Sequence, residues 1–189
     1  MRRLLAVLLA LGLTVPALVQ GATRPAEVRR ADALALDRLV FLLAERLALS
    51  RQVAAAKWIS GAPIDDPLRE TAVLDEVARR AAELGVDREW AKAVFAAQFE
   101  AGKHLQRNLH GSWRNSGRGL VGPAPDLAHD VRPALDRLMP VLLQALRDAA
   151  PALKKPGAAR RLLVAAEAFS AEEGLDGDVW QRALAPLPR

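Results

Sequence analysis

AERLALSRQVAAAKWISGAPIDDPLRE, residues 44–70, decides the fold of this 189-residue chain. Its first part is built from alanine, leucine and long charged residues, all good helix formers, and meets no glycine or proline until Gly61 and Pro63. Asp66 followed by Pro67 then reads as an N-cap and first-turn proline, so one helix ends and another opens within a few residues. Arg46 and Lys57 are eleven positions apart, close to three helical turns, and project from nearly one face. That face is otherwise apolar, with Leu39, Leu42, Leu43, Val53 and Ala54 around it. Burying two cations there costs several kcal/mol, by order of magnitude, unless a negative charge joins them. The stretch therefore predicts an anion between Arg46 and Lys57.

Outward from this stretch, Leu34, Leu39, Leu42, Leu43, Leu47 and Val53 recur at three- and four-residue steps and predict a first helix over residues 28–59. The second helix runs from Pro67 to a stop at Gly85. Asp87 caps a third over 88–109, closed by Gly111. Gly111, Gly117, Gly119 and Gly122, with Pro123 and Pro125, mark the main loop. Gly117, Gly119 and Gly122 match the spacing of a dinucleotide fingerprint, but no strand precedes them and Pro123 follows at once, so they read as loop. A fourth helix starts near Leu127 or Asp130 and reaches Ala149, bent at Pro140. Shorter helices follow over 158–170 and 177–185. The expected architecture is all-α, a helical bundle with a long first helix and extra carboxy-terminal helices, and no sheet.

Composition supports this. Hydrophobic residues make up 51% and charged residues 26%, which excludes a disordered chain, and the 4% aromatic content gives strands little to build on. The net charge is +5, but no Lys/Arg run or interleaved aromatic platform accompanies it, so nucleic acid is not expected as a partner. Arg2 and Arg3 carry two of those charges and open MRRLLAVLLALGLTVPALVQGA, residues 1–22. A basic start, a short apolar run and small residues near Gly21 and Ala22 form the pattern of a secretory leader. The run is short for a spanning helix, so residues 23–189 are expected as one exported helical domain without stable membrane insertion. Cysteine is absent, so no disulfide framework exists.

Chemistry narrows by elimination. His104 and His110 turn to separated faces and His129 is isolated, so no metal site is expected. No serine sits in a nucleophile elbow, and Asp65–Asp66 is explained by helix capping. Trp58, Trp90, Trp113 and Trp180 read as packing or interface residues. What remains is a set of fixed cations, Arg46, Lys57, Arg69 and Arg132, with the amide of Gln106.

The segments ERLALSRQVAAAKW, PIDDPLRE and FAAQFEAGKHLQ together resemble the all-helical chorismate mutases of the AroQ class. The leader, the extra carboxy-terminal helices and DVRPALDRL resemble its exported, or gamma, branch, with the core motifs spanning residues 34–138. The resemblance implies a pericyclic rearrangement of chorismate to prephenate, a shikimate-pathway step toward aromatic amino acids. It implies no cofactor, a periplasmic or secreted location and a homodimer with each pocket inside one chain. It further implies that Arg46, Arg69 and Arg132 contact the substrate carboxylates. Lys57 and Gln106 would donate to the ether oxygen, and Asp66 and Glu70 would help hold the hydroxyl. Some relatives have glutamate in place of Gln106, which must be protonated to donate; an amide donates at every ordinary pH. Gly102 stands where relatives often have a hydroxyl residue, so one substrate contact is expected to be absent or replaced. Two other readings remain at this stage: lyase activity on isochorismate, and a non-catalytic helical module that binds an anion or partner.

Overall fold

The computed structural model describes residues 20–117, 125–173 and 175–187. Most of the expected leader lies outside these residues, as do Gly119 and Gly122 of the glycine-rich loop. Among the described residues six α-helices follow one another: α1 (Gln20–Ser60), α2 (Pro67–Glu83), α3 (Arg88–Ser116), α4 (Arg132–Leu153), α5 (Ala158–Glu173) and α6 (Gly177–Leu184). A π-helical turn, Leu127–Val131, leads into α4. No strand occurs among the described residues. None of their helices is long and apolar enough to cross a membrane.

Local chemistry sets the boundaries. The Asp66 carboxylate accepts from the Arg69 N–H at 3.2 Å and Pro67 occupies the first turn, where its missing N–H costs nothing. Asp87 caps α3 through the Trp90 N–H at 2.7 Å, and Asp176 caps α6 through the Val179 N–H. Gly85 ends α2 with φ of +69°. The first helix starts earlier than expected, at Gln20, and carries Pro25 inside it. Pro140 and Pro151 both lie within the helical span of α4.

The third helix departs most from the sequence reading. Gly111 does not close it; α3 continues to Ser116 and stops at Gly117, whose φ of +60° suits a glycine. The extra turns are held by tertiary contacts that offset the helix cost of Gly111, about 1 kcal/mol relative to alanine. Trp113 meets the Trp58 ring edge-on at 5.6 Å between centroids, and His110 meets Trp58 at 5.1 Å. His110 Nε2 donates to the Ala54 carbonyl at 2.9 Å, which ties the end of α3 to α1.

Helix α1 is the spine, packed against α3, α4 and α5, while α2 and α6 lie on α3. These six helices feed one apolar core, to which α1 contributes Leu39, Leu43 and Leu47, α3 Phe95, and α4 Leu142, Leu143 and Leu146. Trp90 and Trp180 are buried in it. Arg161 and Lys155 pair with Asp37 and Asp32, fastening the second half of the chain to α1. Replacing Trp113 with alanine is expected to speed amide hydrogen exchange over 111–116 while leaving 91–105 as protected as in the wild type; uniform protection in both would show that the aromatic cluster does not hold these turns.

Candidate active site

The second half of α1 presents Arg46, Ser50, Val53 and Lys57 at three- and four-residue steps, one stripe along the rod. Facing it, α3 presents Phe95, Gln98, Phe99, Gly102, Lys103 and Gln106. The start of α2 adds Asp66, Arg69 and Glu70, and the start of α4 adds Arg132, Leu135 and Asp136. All seven residues singled out in the sequence, Arg46, Lys57, Asp66, Arg69, Glu70, Gln106 and Arg132, line this one cavity.

Two tiers of cations differ in their partners. Arg69 and Arg132, at the mouth, are partly exposed and lie near carboxylates, Arg69 on Asp136 at 3.0 Å and Arg132 on Asp66 at 3.7 Å. Arg46 and Lys57 are buried, each with 8% of its surface exposed. Among the described residues no carboxylate lies within ion-pair distance of either one, so the anion expected between them does not come from these residues of the chain. The guanidinium of Arg46 instead faces the rings of Phe99 and Phe95 at 4.9 and 5.7 Å, and Lys57 Nζ donates to the Ile64 carbonyl at 2.6 Å. These neutral partners supply π density and a carbonyl dipole but no compensating charge. Burial accordingly lowers the Arg46 pKa to about 10. Burial also lowers that of Lys57, against the pull of Asp66 and Glu70 and reinforced by Arg132.

Lys103 was not singled out in the sequence. Burial disfavours its charge, but hydrogen bonds with Glu100 and Glu70 outweigh this and raise its pKa overall. Its Nζ lies 3.1 Å from Glu70, which thereby is held in place at the cavity wall. Asp65 anchors the same corner through Arg107 at 2.7 Å. Five cationic side chains and three carboxylates line the cavity, leaving two positive charges over. That excess matches a small dianion.

Ser50, Gln98, Phe99 and Asp136 are further lining residues that the sequence reading did not pick out. Stepping by fours from Arg46 reaches Ser50, and stepping back by fours from Gln106 reaches Gly102 and Gln98; that periodicity was the available signal. Gln98 is fully buried and neither end of its amide has a partner among the described residues. The buried Oε1 of Gln106 is likewise without a partner, while its Nε2 belongs to the cavity side, 4.0 Å from where a Cβ on Gly102 would stand. The histidines take no part. His104 pairs with Asn108 and His129 with Asp126, and no cluster able to hold a metal occurs among the described residues.

A bundle whose buried, charge-unmatched cations face an amide across one pocket defines a helical protein built to bind a small anion. Residues 30–107 match the family model for chorismate mutase type II. The chain is 31% identical over 153 residues to the secreted chorismate mutase of Mycolicibacterium smegmatis, covering 81% of this chain and 83% of that one. It is 30% identical over 156 residues to the secreted chorismate mutase of Mycobacterium tuberculosis, covering 82% and 77%. The crystal structure of chorismate mutase from Burkholderia thailandensis superposes with a TM-score of 0.75 at 41% identity, over 81% of this chain and 98% of that one. For the Burkholderia phymatum enzyme the TM-score is 0.78 at 32% identity, over 84% and 99%. The chain belongs to the chorismate mutase type II family.

A buried amide without partners is costly, and an apolar group of similar shape there is neutral or stabilising. Gln98→Met is therefore expected to raise the melting temperature by about 2–4 °C, the shift that ~1 kcal/mol produces at this chain length; a lower melting temperature would mean that the amide is satisfied in the folded protein.

Proposed function

We propose that this protein catalyses the rearrangement of chorismate to prephenate, and that Arg46 and Lys57, buried without a carboxylate, carry the reaction together with Gln106. The absence of an anion from the described residues within ion-pair distance of these two cations is the observation that supports the reading most directly. A dicarboxylate substrate supplies the missing charge. Arg46, Arg69 and Arg132 hold its two carboxylates, since guanidinium forks match planar carboxylates and stay charged. Gripped at both ends, the enolpyruvyl side chain folds over the ring into the reactive geometry, and the entropy of that folding is met by binding.

As the carbon–oxygen bond breaks, negative charge grows on the ether oxygen. Lys57 is tethered to the Ile64 carbonyl by one of its three protons, leaving two donors and a fixed position. The Gln106 amide approaches from α3. Donors fixed in advance stabilise the developing charge more than the ground state, which is the condition for lowering the barrier. Asp66 and Glu70, the latter steadied by Lys103, hold the substrate hydroxyl. The electrons move within the substrate, so the reaction calls for no cofactor and no covalent intermediate. We further infer export, by a leader over residues 1–22, to a periplasmic or secreted site, because the two mycobacterial relatives are named secreted enzymes and the amino terminus has leader character. A homodimer is inferred with it.

Incubated with chorismate, the purified protein is expected to form prephenate, whereas Lys57→Ala should lose about 10²–10³-fold in kcat with its helical circular dichroism intact. Pyruvate from isochorismate without prephenate would make it a lyase, and retained binding with no turnover would make it a binding module. The pH profile adds a second test. The cations must be protonated, and burial lowers the pKa of Lys57 and takes that of Arg46 to about 10, so kcat/KM should fall as pH rises toward 10, with no loss on the acid side from Gln106. Gln106→Glu must be protonated to donate and should lose kcat/KM about tenfold per pH unit above the new carboxyl's pKa; an unchanged profile would exclude Gln106 from the reacting centre.

A further inference from the structure

Ser50 follows Arg46 by four residues on α1, lines the cavity and is 6% exposed. A serine inside a helix ordinarily bonds back to the carbonyl four residues earlier. Here its hydroxyl makes no hydrogen bond to a described residue and stands against Gly102 of α3. A Cβ on Gly102 would lie 2.7 Å from Ser50 Oγ, closer than real contacts allow, and 3.5 Å from Ser50 Cβ. The backbone at 102 lies in ordinary helical geometry and does not need glycine, which costs about 1 kcal/mol relative to alanine in a helix. What the glycine provides is room for the hydroxyl. Gln106 Nε2 borders the same gap, 4.0 Å from the absent Cβ. Along these two stripes Arg46, Lys57 and the Gln106 amide nitrogen are donors, and the buried amide oxygens of Gln98 and Gln106, which have no hydrogen-bond partner among the described residues, do not accept from Ser50, so its proton is left for a ligand.

We propose that Ser50 is a substrate-contacting residue whose hydroxyl donates to an oxygen of the bound dicarboxylate, through the space that Gly102 leaves bare. This rests on the chorismate mutase reading. The two positions act as one unit: any side chain at 102 forces the Ser50 hydroxyl to rotate away, and removing the hydroxyl leaves a gap that a new one at 102 fills.

The test is a cycle of purified variants assayed with chorismate. Ser50→Ala is expected to raise KM about tenfold, the effect of one hydrogen bond to a charged group, with kcat within about twofold and the melting temperature not lowered. Gly102→Ala should raise KM by a similar factor by displacing the hydroxyl. The double variant Ser50→Ala/Gly102→Ala should be no worse than either single one, because both remove the same contact. Ser50→Ala/Gly102→Ser should recover to within about threefold of the wild-type KM. If the wild type turns over chorismate while Ser50→Ala leaves KM unchanged, or if the two alanine effects multiply, the proposal is overturned and the enzymatic reading stands. If the wild type forms no prephenate, the reading itself fails and the proposal falls with it.

Discussion

Two desolvated cations with no carboxylate of the described residues in ion-pair reach are the constraint on which this structure turns. Removing a guanidinium and an ammonium from water is expensive, and the usual remedy is a paired acid. Here Arg46 has phenyl faces and Lys57 has a carbonyl, partners that orient the charges and leave them uncompensated. The free protein is held together by the leucine core that surrounds α1, and it carries this electrostatic strain within that core. Binding and stability are linked at such a site: on the proposed function a dianion would relieve the strain, and whatever binds the folded form and not the unfolded chain shifts the equilibrium toward the fold.

The helices make this arrangement rigid. Arg46, Ser50 and Lys57 share one continuous helix of 41 residues, so their spacing is set by helical geometry and not by loop conformation. Gln98, Gly102 and Gln106 share another. The contact between α1 and α3 therefore fixes donors on both sides of the gap at once. Arginines at the mouth behave differently. Arg69 and Arg132 sit near Asp136 and Asp66 at partly exposed positions, where ion pairs are weak and exchangeable, so a substrate carboxylate can compete for them. Buried cations inside and exposed, exchangeable ion pairs at the mouth thus give the cavity two electrostatic settings.

Periodicity and capping made most of the architecture readable in the chain. Asp66–Pro67, Asp87 and the stop at Gly85 are local signals whose chemistry acts within a few residues, and the structure places helix ends there. Gly111 misled for the opposite reason. Its intrinsic preference is outweighed by Trp113 and His110 packing on Trp58, residues more than fifty positions away in the chain. The extent of α3 is thus a tertiary property.

The site divides in the same way. Sequence alone determined that Arg46 and Lys57 share a face and that this face is apolar, because helical pitch converts spacing directly into direction. Elimination of other chemistries left Arg69, Arg132 and Gln106 as candidates from other segments, and resemblance to a known family added Asp66 and Glu70. Only the tertiary structure decided that all of these border one cavity, that no acid of the described chain reaches the buried pair, and that Ser50 stands where a side chain on Gly102 would be. Those facts depend on how helices dock, and docking is settled by the sum of many weak side-chain contacts across the core, which no local pattern encodes.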